Sequence, residues 1–523
     1  MTNQTIKARL LWTDDEMDLL RPYIIFLEEK GYLVDTTYNG DDAIALVKTQ
    51  NYDLILLDEN MPGLSGIQVL DQIKKINPLV PVIMVTKSEE ENIMEQAIGS
   101  KIADYLIKPV NPNQVLLAIK KNIDKKRLIT EKTSHSYQIQ FNRLSQEISM
   151  ANSFENWKQV YKILTYWEIE LNKNNDHTMD EVIKMQKNEA NTAFTKFIKN
   201  NYLKWFNQKS QDKTPLMSPG IFKQKIYPLL DEGKQVFVIL IDNLRLDSWR
   251  VIEEKLHDIF NVVDDDIFCS ILPTSTQYSR NAMFAGLMPS EIDKHFPDIW
   301  LNDDEEGGKN MYEEELLKRQ HSRLGRTESL FYSKILNNVQ GKHLVESFSD
   351  ILKFQIGVVV FNFVDILSHA RTEMNMIREL AEDEAAFRSL LISWFEHSPL
   401  LEFLQLLAQH DITVVLTTDH GSIRIDKPIK VIGDRQTSTN LRYKQGKNLN
   451  YPAREVFEIT DPAKAYLPKS TLSSTYIFAC NNDFLAYPNN YNYYVKYYHN
   501  TFQHGGVSLE EMLVPVVTLS PKK

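Results

Sequence analysis

Acidic and imidazole side chains in the C-terminal part of this sequence have the types and the spacing needed for metal-dependent chemistry. Asp419 and His420 follow a run of apolar residues in the stretch VVLTTDHGSI. Asp365 and His369 are one helical turn apart, so both side chains can point the same way. A buried charge is costly unless it is paired or binds a metal, and this pattern therefore favours ligation of a cation.

Further motifs extend this set toward a two-metal site. Asp242 ends the strand-like run VILID, His504 lies beside two glycines, and Thr274 and Thr276 precede a helix in LPTSTQYSRNAMFAGLMP. Mixed carboxylate and imidazole ligands favour Zn²⁺ or Mn²⁺ over Mg²⁺. Two ions about 4 Å apart would clamp the attacking and leaving oxygens of a phosphoryl displacement, with a threonine alkoxide as nucleophile. The sequence thus predicts two metal sites, one formed by Asp242, Asp419 and His420 with a threonine, the other by Asp365, His369 and His504.

A second constellation lies at the ends of apolar runs near the N-terminus. These side chains are Asp14 and Asp15 after ARLLW, Asp58 at the end of LILLD, Thr86 at the end of VIMVT, and Lys108 after DYLI. Chemistry collects at the carboxyl ends of the strands in an open parallel sheet. Clustered carboxylates repel one another unless a divalent cation joins them, and all-oxygen ligation suits Mg²⁺. Asp58 is then a plausible nucleophile toward a phosphoryl donor, with Lys108 pairing to the phosphoryl oxygens and Thr86 hydrogen-bonding the product.

The elements that must position these residues fall into three regions. Strand-like runs alternate with amphipathic helical patterns over residues 1–122, which predicts a doubly wound, flavodoxin-like α/β domain. Strand signals stop over 123–213, where long helical patterns predict a connector bundle. Three tryptophans are available for packing there: Trp157, Trp167 and Trp205. After the TPLMSPG boundary, residues 214–523 return to strands and helices and predict a larger α/β domain.

Composition bounds the class of protein. A chain of 523 residues is too long for one ordinary core, and its net charge of −11 argues against binding duplex DNA. The two cysteines, Cys269 and Cys480, cannot build a disulfide framework, which favours a reducing compartment. No apolar run is long enough to span a bilayer, and the N-terminus lacks the apolar segment of a signal peptide. We therefore expect a cytoplasmic protein without a membrane span.

Residues 1–122 resemble a response-regulator receiver domain through WTDDE, LLDENMPGLSG, MVT and YLIKPV. The resemblance implies phosphorylation of Asp58 by a sensor histidine kinase. It also implies Mg²⁺ held by Asp14, Asp15, Asp58 and the backbone carbonyl of Asn60. Receivers commonly dimerise through their fourth helix, fifth strand and fifth helix, which implies a homodimer on phosphorylation with Asp104 and Tyr105 on or beside that face.

Residues from about 216 to 523 resemble the alkaline phosphatase superfamily, specifically its PglZ branch. The stretch PTSTQYSRNAMFAGLMP fits the Pro-Thr-x-Thr and Gly-Leu-x-Pro spacing of nucleotide phosphodiesterases in that superfamily. This spacing makes Thr276 the better candidate nucleophile and Thr274 the alternative. The Asp-x-x-x-His, Asp-His-Gly and late His-Gly motifs match in order, which implies two zinc ions per chain. Those enzymes also use an asparagine to bind phosphate, and the resemblance does not match that asparagine to a residue of this sequence.

The order of receiver, helical connector and PglZ domain resembles a family of response regulators found with the type IX secretion system of Bacteroidota. This implies a PorY-like sensor histidine kinase, contact with the secretion machinery and a sigma factor, and zinc-dependent phosphodiesterase activity toward short linear or cyclic oligonucleotides. Two hypotheses remain. In the first, the protein is a phosphorylation-gated phosphodiesterase. In the second, zinc serves structure or sensing and the output is protein–protein contact. The intact ligands and threonine favour the enzyme.

Two segments near the metal motifs leave alternatives open. Six tyrosines between Tyr487 and Tyr498 either stack nucleobases or pack beneath a β-rich insertion. The basic segment DRQTSTNLRYKQGKN either steers an anionic substrate or is an exposed polar loop. Its cationic side chains are Arg435, Arg442, Lys444 and Lys447.

Overall fold

The structure is a computed structural model that divides into two compact units, Met1–Ser136 and Tyr137–Lys523. The residues that it describes are 8–78, 80–87, 102–173, 179–207, 214–303, 305, 307–381, 383–433, 437–469 and 473–522. None of the helices in these ranges is both long and apolar enough to cross a lipid bilayer.

The first unit contains a five-stranded parallel sheet with the strand order β2-β1-β3-β4-β5. The strands are β1 (Ala8–Thr13), β2 (Tyr32–Thr37), β3 (Leu54–Asp58), β4 (Val82–Thr86) and β5 (Asp104–Ile107). The helices Met17–Glu29, Gly40–Thr49 and Gly66–Ile76 connect the first four strands. This confirms the doubly wound fold predicted from the sequence. The predicted dimerisation face includes the fourth helix of the receiver, and residues 88–101, between β4 and β5, lie outside the described residues.

The central strands of this sheet are covered on both faces. Leu54 and Leu56 on β3 belong to one buried cluster, whereas Ile55 and Leu57 on the same strand belong to a second. Successive side chains of a strand point to opposite faces, so each face of the sheet has its own apolar core. This explains why β3 is a continuous apolar run that ends in a polar residue, Asp58.

Three long helices follow, Pro112–Met150, Phe154–Lys173 and Asp180–Trp205. The predicted tryptophans pack in their core, where the ring of Trp157 lies 5.4 Å from that of Phe194. From Tyr137 onward these helices belong to the same compact unit as the rest of the chain. The boundaries at 122 and 213 stay predictions, because the first of these helices extends across residue 122.

The C-terminal part of the second unit is built on a six-stranded sheet with the order β7-β18-β10-β6-β9-β8. Its strands are β6 (Val236–Ile241), β7 (Phe260–Cys269), β8 (Leu330–Ile335), β9 (Ile356–Phe361), β10 (Thr413–Thr417) and β18 (Leu513–Pro521). The four strands β10, β6, β9 and β8 are parallel, and β18 and β7 add an antiparallel edge.

Smaller sheets lie between β10 and β18. They are formed by β11 (Ile423–Arg424) with β17 (Phe502–Gln503), by β12 (Lys427–Lys430) with β16 (Asp483–Ala486), and by β13 (Tyr443–Gly446), β14 (Val456–Ile459) and β15 (Thr475–Ala479). The α-helices of this part are Tyr227–Asp231, Leu246–Leu256, Asn281–Ala285, Pro289–His295, Glu313–Arg323, Asn338–Glu346, Phe348–Ile351, Phe363–Glu373, Asn375–Leu380, Glu384–Glu396, Pro399–Gln409, Tyr491–Tyr498 and Leu509–Met512. Short π-helical turns span Phe222–Ile226 and Thr276–Arg280.

The three central parallel strands of the large sheet end at one edge. Leu240 on β6 pairs with Thr417 on β10, and Ile241 pairs with Phe361 on β9. The residues directly after these strands therefore begin at the same place, where chemistry collects in open α/β sheets. Every residue of these three strands is buried, which fixes the register of the strands and so the position of the residues after them.

A buried cluster of charges joins the long helices to the C-terminal part within the second unit. Lys187 Nζ lies 2.7 Å from Glu168 Oε2, both on the long helices. The Arg388 guanidinium donates to Glu168 at 3.1 Å and to Asp247 at 2.8 Å. Asp247 also pairs with Arg245 at 2.5 Å. Buried ions of this kind persist only when each has a partner, so the two segments depend on each other.

Candidate functional site

The acidic constellation of the first unit assembles at the carboxyl edge of its sheet. Lys108 Nζ donates to Asp14 Oδ2 at 2.7 Å and to Asp58 Oδ2 at 2.9 Å. Both carboxylates are buried, and together with Asp15 they offer oxygen atoms within 4.8 Å of one another. Thr86 is buried at the end of β4, the strand next to that of Asp58. The donor set is that of a site for a hard divalent cation.

The charge balance of this site also fits a cation. Burial raises the pKa of Asp58 above its ordinary value, although Lys108 and the backbone N–H of Asn60 oppose the shift. Asn60, whose carbonyl is a further oxygen ligand implied by the resemblance to receivers, lies two residues after the end of β3. A divalent cation among these carboxylates would stabilise their ionised forms, which is the state that a phosphoryl acceptor needs.

The first cluster of the C-terminal part consists of Asp242, Asp419 and His420. All three are buried, and each offers a ligand atom within 4.8 Å of the others. Thr276 Oγ1 lies 3.2 Å from His420 Nε2 and 3.5 Å from Asp242 Oδ1. Burial raises the pKa of Asp242 well above its ordinary value against the opposing charge of Arg280, with the neighbouring carboxylates adding to the rise. A divalent cation would offset that repulsion.

The second cluster, Asp365, His369 and His504, lies beside the first. Asp365 Oδ1 is 3.6 Å from His369 Nε2 and 3.8 Å from His504 Nε2. The rings of His420 and His504 are 4.2 Å apart between centroids, so the two clusters adjoin. Burial, with His420 and His369 adding, holds the pKa of His504 well below its ordinary value. A neutral imidazole is the form that binds a transition metal.

The structure separates the two candidate threonines. Thr274 is fully buried, and its hydroxyl donates to Gly506 O and accepts from Gly505 N–H, each at 3.0 Å. These bonds fasten the turn that carries His504, and Gly505 adopts a positive φ of 120° there. Thr276 instead directs its hydroxyl at the first cluster.

Sequence patterns did not indicate Asn243, which lies between the clusters. Its backbone N–H donates to Asp419 Oδ1 at 3.4 Å, and its side-chain amide donates to Asp365 Oδ1 at 3.3 Å. It adopts a left-handed φ of 63°, which asparagine tolerates better than most residues. The sequence did contain one signal for a role of Asn243 in the site, because this asparagine directly follows Asp242 at the end of the strand-like run VILID.

Two of the four cationic side chains of the basic segment are buried and so belong neither to a steering patch nor to an exposed loop, whereas Lys447 is half-buried. Arg442 is fully buried and its Nη2 lies 2.6 Å from Glu511 Oε2. Lys444 is 1% exposed, and its Nζ lies 4.4 Å from the ring centroid of Tyr487. Both expectations were therefore wrong for these two residues, because partners far along the chain bury them. Arg435 falls within residues 434–436, which lie outside the described ranges.

The tyrosines of residues 487–498 divide between the two alternatives. The Tyr487 hydroxyl donates to the backbone at Ser438, as packing predicts. Tyr493 and Tyr494 are 64% and 41% exposed on the helix Tyr491–Tyr498, so packing does not account for them.

Three family models match successive segments of the chain. They are the response regulator receiver domain over 10–120, the PorX response regulator linker domain over 127–206, and the BREX system PglZ alkaline phosphatase-like domain over 221–519. Because the last model covers more than half of the residues, the chain belongs to the family of PglZ alkaline phosphatase-like proteins. Receiver, linker and PglZ domain in this order match a PorX-type architecture, which confirms the architecture inferred from the sequence.

Curated relatives share the receiver. The transcriptional regulatory protein ResD of Bacillus subtilis (strain 168) is 41% identical over 118 residues, which are 23% of this chain and 49% of ResD. The alginate biosynthesis transcriptional regulatory protein AlgB of Pseudomonas syringae pv. tomato is 34% identical over 122 residues, 23% of this chain and 27% of AlgB. The chain thus spans half or less of the length of these relatives.

Solved structures similar to this chain are also receivers. The CheY-like receiver domain protein of Methanospirillum hungatei JF-1 is 28% identical and covers 22% of this chain and 94% of its own, with a TM-score of 0.22. A receiver domain protein from Clostridium thermocellum is 31% identical and covers 23% and 98%, with a TM-score of 0.22. A receiver domain implies phosphorylation by a kinase, and the PglZ alkaline phosphatase-like domain suggests hydrolase activity.

Proposed function

We propose that this protein is a response regulator whose output domain is a zinc-dependent phosphodiesterase with Thr276 as its nucleophile. The observation that carries the proposal is the position of the Thr276 hydroxyl, 3.2 Å from His420 Nε2 and 3.5 Å from Asp242 Oδ1, beside two adjoining clusters of acids and imidazoles. Six ligands that combine carboxylates with imidazoles suit zinc better than magnesium.

Asp242, Asp419 and His420 would hold one zinc ion beside Thr276, and Asp365, His369 and His504 would hold the second. Bound zinc would supply the Lewis acidity that lowers the pKa of the threonine hydroxyl and offsets charge on the phosphoryl group. Thr276 Oγ1 loses its proton to solvent and forms a bond to phosphorus as the bond to the leaving alkoxide breaks, which gives a threonyl-phosphate ester. The alkoxide takes a proton from solvent and leaves as an alcohol. Water displaces Thr276 from phosphorus in the second step and releases a phosphomonoester.

Accessibility supports a substrate that enters on the side of the second cluster. The side chain of His369 is 51% exposed, whereas those of Asp419 and His420 are fully buried. A phosphodiester in a short linear or cyclic oligonucleotide would place its phosphorus between the clusters, with its remaining nucleotides on the open side. The net charge of −11 disfavours a long duplex as substrate.

The first unit supplies the regulatory half of the proposal. A sensor histidine kinase of the PorY type would phosphorylate Asp58 with Mg²⁺ bound by Asp14, Asp15, Asp58 and the Asn60 carbonyl. Lys108 and Thr86 would contact the phosphoryl group and favour a homodimer. The match of the linker model supports a response regulator of the PorX type. With that type we propose a cytoplasmic role in type IX secretion, with the secretion machinery and a sigma factor as partners.

The test is hydrolysis of phosphomonoester and phosphodiester substrates by the zinc-loaded protein. Thr276→Val should lower kcat far more than it changes KM, because the lost oxygen forms its bond in the transition state. Thr276→Ser keeps the hydroxyl and is the matched control, which should retain most of the activity.

Stereochemistry provides an independent measurement. When a chiral phosphorothioate diester is hydrolysed in oxygen-labelled water, two in-line displacements at phosphorus retain configuration in the labelled product, whereas direct attack by water inverts it. Inversion, or near-normal turnover by Thr276→Val, would contradict the assignment of Thr276.

A further inference from the structure

Arg280 is fully buried behind the first cluster and has no part in the reaction proposed above. Its Nε donates to Asp419 Oδ2 at 3.0 Å, and its Nη2 forms an ion pair with Asp242 Oδ2. Its Nη1 donates to Glu313 Oε1 at 3.2 Å. The guanidinium thus contacts both acidic residues of the first cluster and a third carboxylate on the opposite side.

Glu313 fixes the far side of this guanidinium. It is 1% exposed and begins the helix Glu313–Arg323. Its Oε2 accepts from the Tyr332 hydroxyl at 2.5 Å, and its Oε1 accepts from Lys334 Nζ at 3.0 Å. Because Glu313 is itself held by residues of β8, the plane of the Arg280 guanidinium is fixed on both sides.

The contacts of Arg280 determine which carboxylate oxygens face the interior of the first cluster. Asp242 turns Oδ2 to Arg280, which leaves Oδ1 near Thr276 at 3.5 Å and 3.9 Å from His420 Nε2. Asp419 Oδ2 lies 3.0 Å from Arg280 and 3.6 Å from His420 Nε2. Each carboxylate therefore keeps lone pairs available inside the cluster while Arg280 holds it from behind.

One short element carries both Thr276 and Arg280. They are the first and last residues of the π-helical turn Thr276–Arg280, so their side chains are fixed relative to each other. Two neighbouring buried carboxylates repel each other unless a cation offsets their charge. Arg280 provides this charge before any metal binds, since a guanidinium stays protonated at every working pH.

We propose that Arg280 is a positioning residue that pre-organises Asp242 and Asp419 to bind the first metal ion. The proposal rests on the function proposed above, in which these carboxylates are metal ligands. Arg280 acts through them and does not itself contact the substrate. Its contacts named here lie on the first cluster, so we expect its loss to weaken that metal site and to spare the second.

The test is zinc affinity, measured by competition with a chromophoric chelator. His369→Ala weakens the second site and lets the first be titrated by itself. In that background Arg280→Lys keeps the charge but loses the planar fork, and we expect first-site affinity to fall by about 10- to 100-fold, the range found when groups that orient metal ligands are lost. The visible absorption of bound Co²⁺ should change with it, because the ligand geometry changes.

Arg388→Lys is the matched control. Arg388 is 4% exposed and pairs with Glu168 and Asp247, so the substitution removes an equally buried guanidinium that contacts no proposed metal ligand. We expect the control to lose stability in urea while first-site zinc affinity stays at the level of the parent. A purely structural role for Arg280 would make the two variants behave alike.

Unchanged first-site affinity in folded Arg280→Lys would overturn the proposal. If Arg280→Lys does not fold, Glu313→Gln is the variant to measure, because it loosens the guanidinium without removing it. We expect Glu313→Gln to lower zinc affinity at the first site, and unchanged affinity in this variant would also overturn the proposal. A parent protein that binds zinc but cleaves no ester would refute the proposed function alone, and a protein that binds no zinc would refute both.

Discussion

Substitution by valine should have different effects at the two threonines: at Thr274 it should lower stability, and at Thr276 it should abolish turnover. The Thr274 hydroxyl satisfies two buried backbone groups, Gly505 N–H and Gly506 O, each at 3.0 Å. Thr274→Val keeps the volume but leaves both groups without this partner. An unsatisfied buried polar group costs about 1 to 3 kcal/mol, so the free energy of unfolding should fall by about 2 to 6 kcal/mol.

The same change should also loosen the turn that holds His504. His504 Nδ1 lies 3.3 Å from the Thr274 carbonyl, so a shift of Thr274 and its turn should also shift the His504 ring. We expect zinc affinity at the second site to fall by about tenfold, the lower end of the range for groups that orient metal ligands. Thr276→Val, whose hydroxyl contacts only side chains, should change stability by less than about 0.5 kcal/mol and abolish turnover instead.

The assay is urea unfolding followed by tryptophan fluorescence. Six of the seven tryptophans lie in the second unit and only Trp12 in the first, so the signal reports mainly on the unit that carries the substitutions. Metal content measured on the same samples gives the second readout. A Thr274→Val protein as stable as wild type, or a Thr276→Val protein destabilised to the same extent, would refute this assignment of roles.

Three further predictions concern other parts of the chain. Acetyl phosphate with Mg²⁺ should shift the mass seen by light scattering toward a dimer, and Asp58→Ala should not respond; a phosphorylated wild-type protein that stays monomeric would contradict the dimer. His420→Ala and His504→Ala should each lose about one zinc by elemental analysis, because losing a ligand weakens its site by tenfold or more; full occupancy in both would contradict the ligand assignment. Burial lowers the pKa of Lys444 from about 10.5 to about 7. Between these two pH values the unfolded chain binds more protons than the folded one, so the free energy of unfolding should rise with pH. Lys444→Met should flatten that rise in urea unfolding at pH 7 and pH 9, and an unchanged slope would show that Lys444 is not its source.

The metal-site candidates were predictable because each follows a recognisable element. Asp242 and Asp419 come after buried apolar strands, and Asp365 and His369 share one turn of a helix. Parallel strands bring their carboxyl ends to one edge, so local patterns sufficed to group residues that are far apart in the sequence. To predict that these residues converge with His504, the resemblance to the alkaline phosphatase superfamily was needed as well as the sequence pattern.

The supporting residues could not be predicted from the sequence because their roles depend on partners far along the chain. Arg280 donates hydrogen bonds to Asp419, which lies 139 residues later in the sequence, and to Glu313, which lies 33 residues later. Arg442 was expected either to steer an anionic substrate or to lie in an exposed polar loop, but Glu511, 69 residues later, pairs with it in the interior. Composition shows that a side chain is charged and gives no indication of whether a distant carboxylate will bury it.

The buried charges that join the long helices to the C-terminal part determine how this protein can be divided. Separating the two segments near residue 213 would leave Arg388 without Glu168 and Glu510 without Lys187. Removing one partner of a buried ion pair costs about 3 to 5 kcal/mol, a large fraction of the stability of a typical domain. The smallest fragment that keeps these pairs begins near Tyr137, where the second compact unit starts. We therefore expect the long helices from Tyr137 onward and the PglZ domain to fold and unfold as one unit.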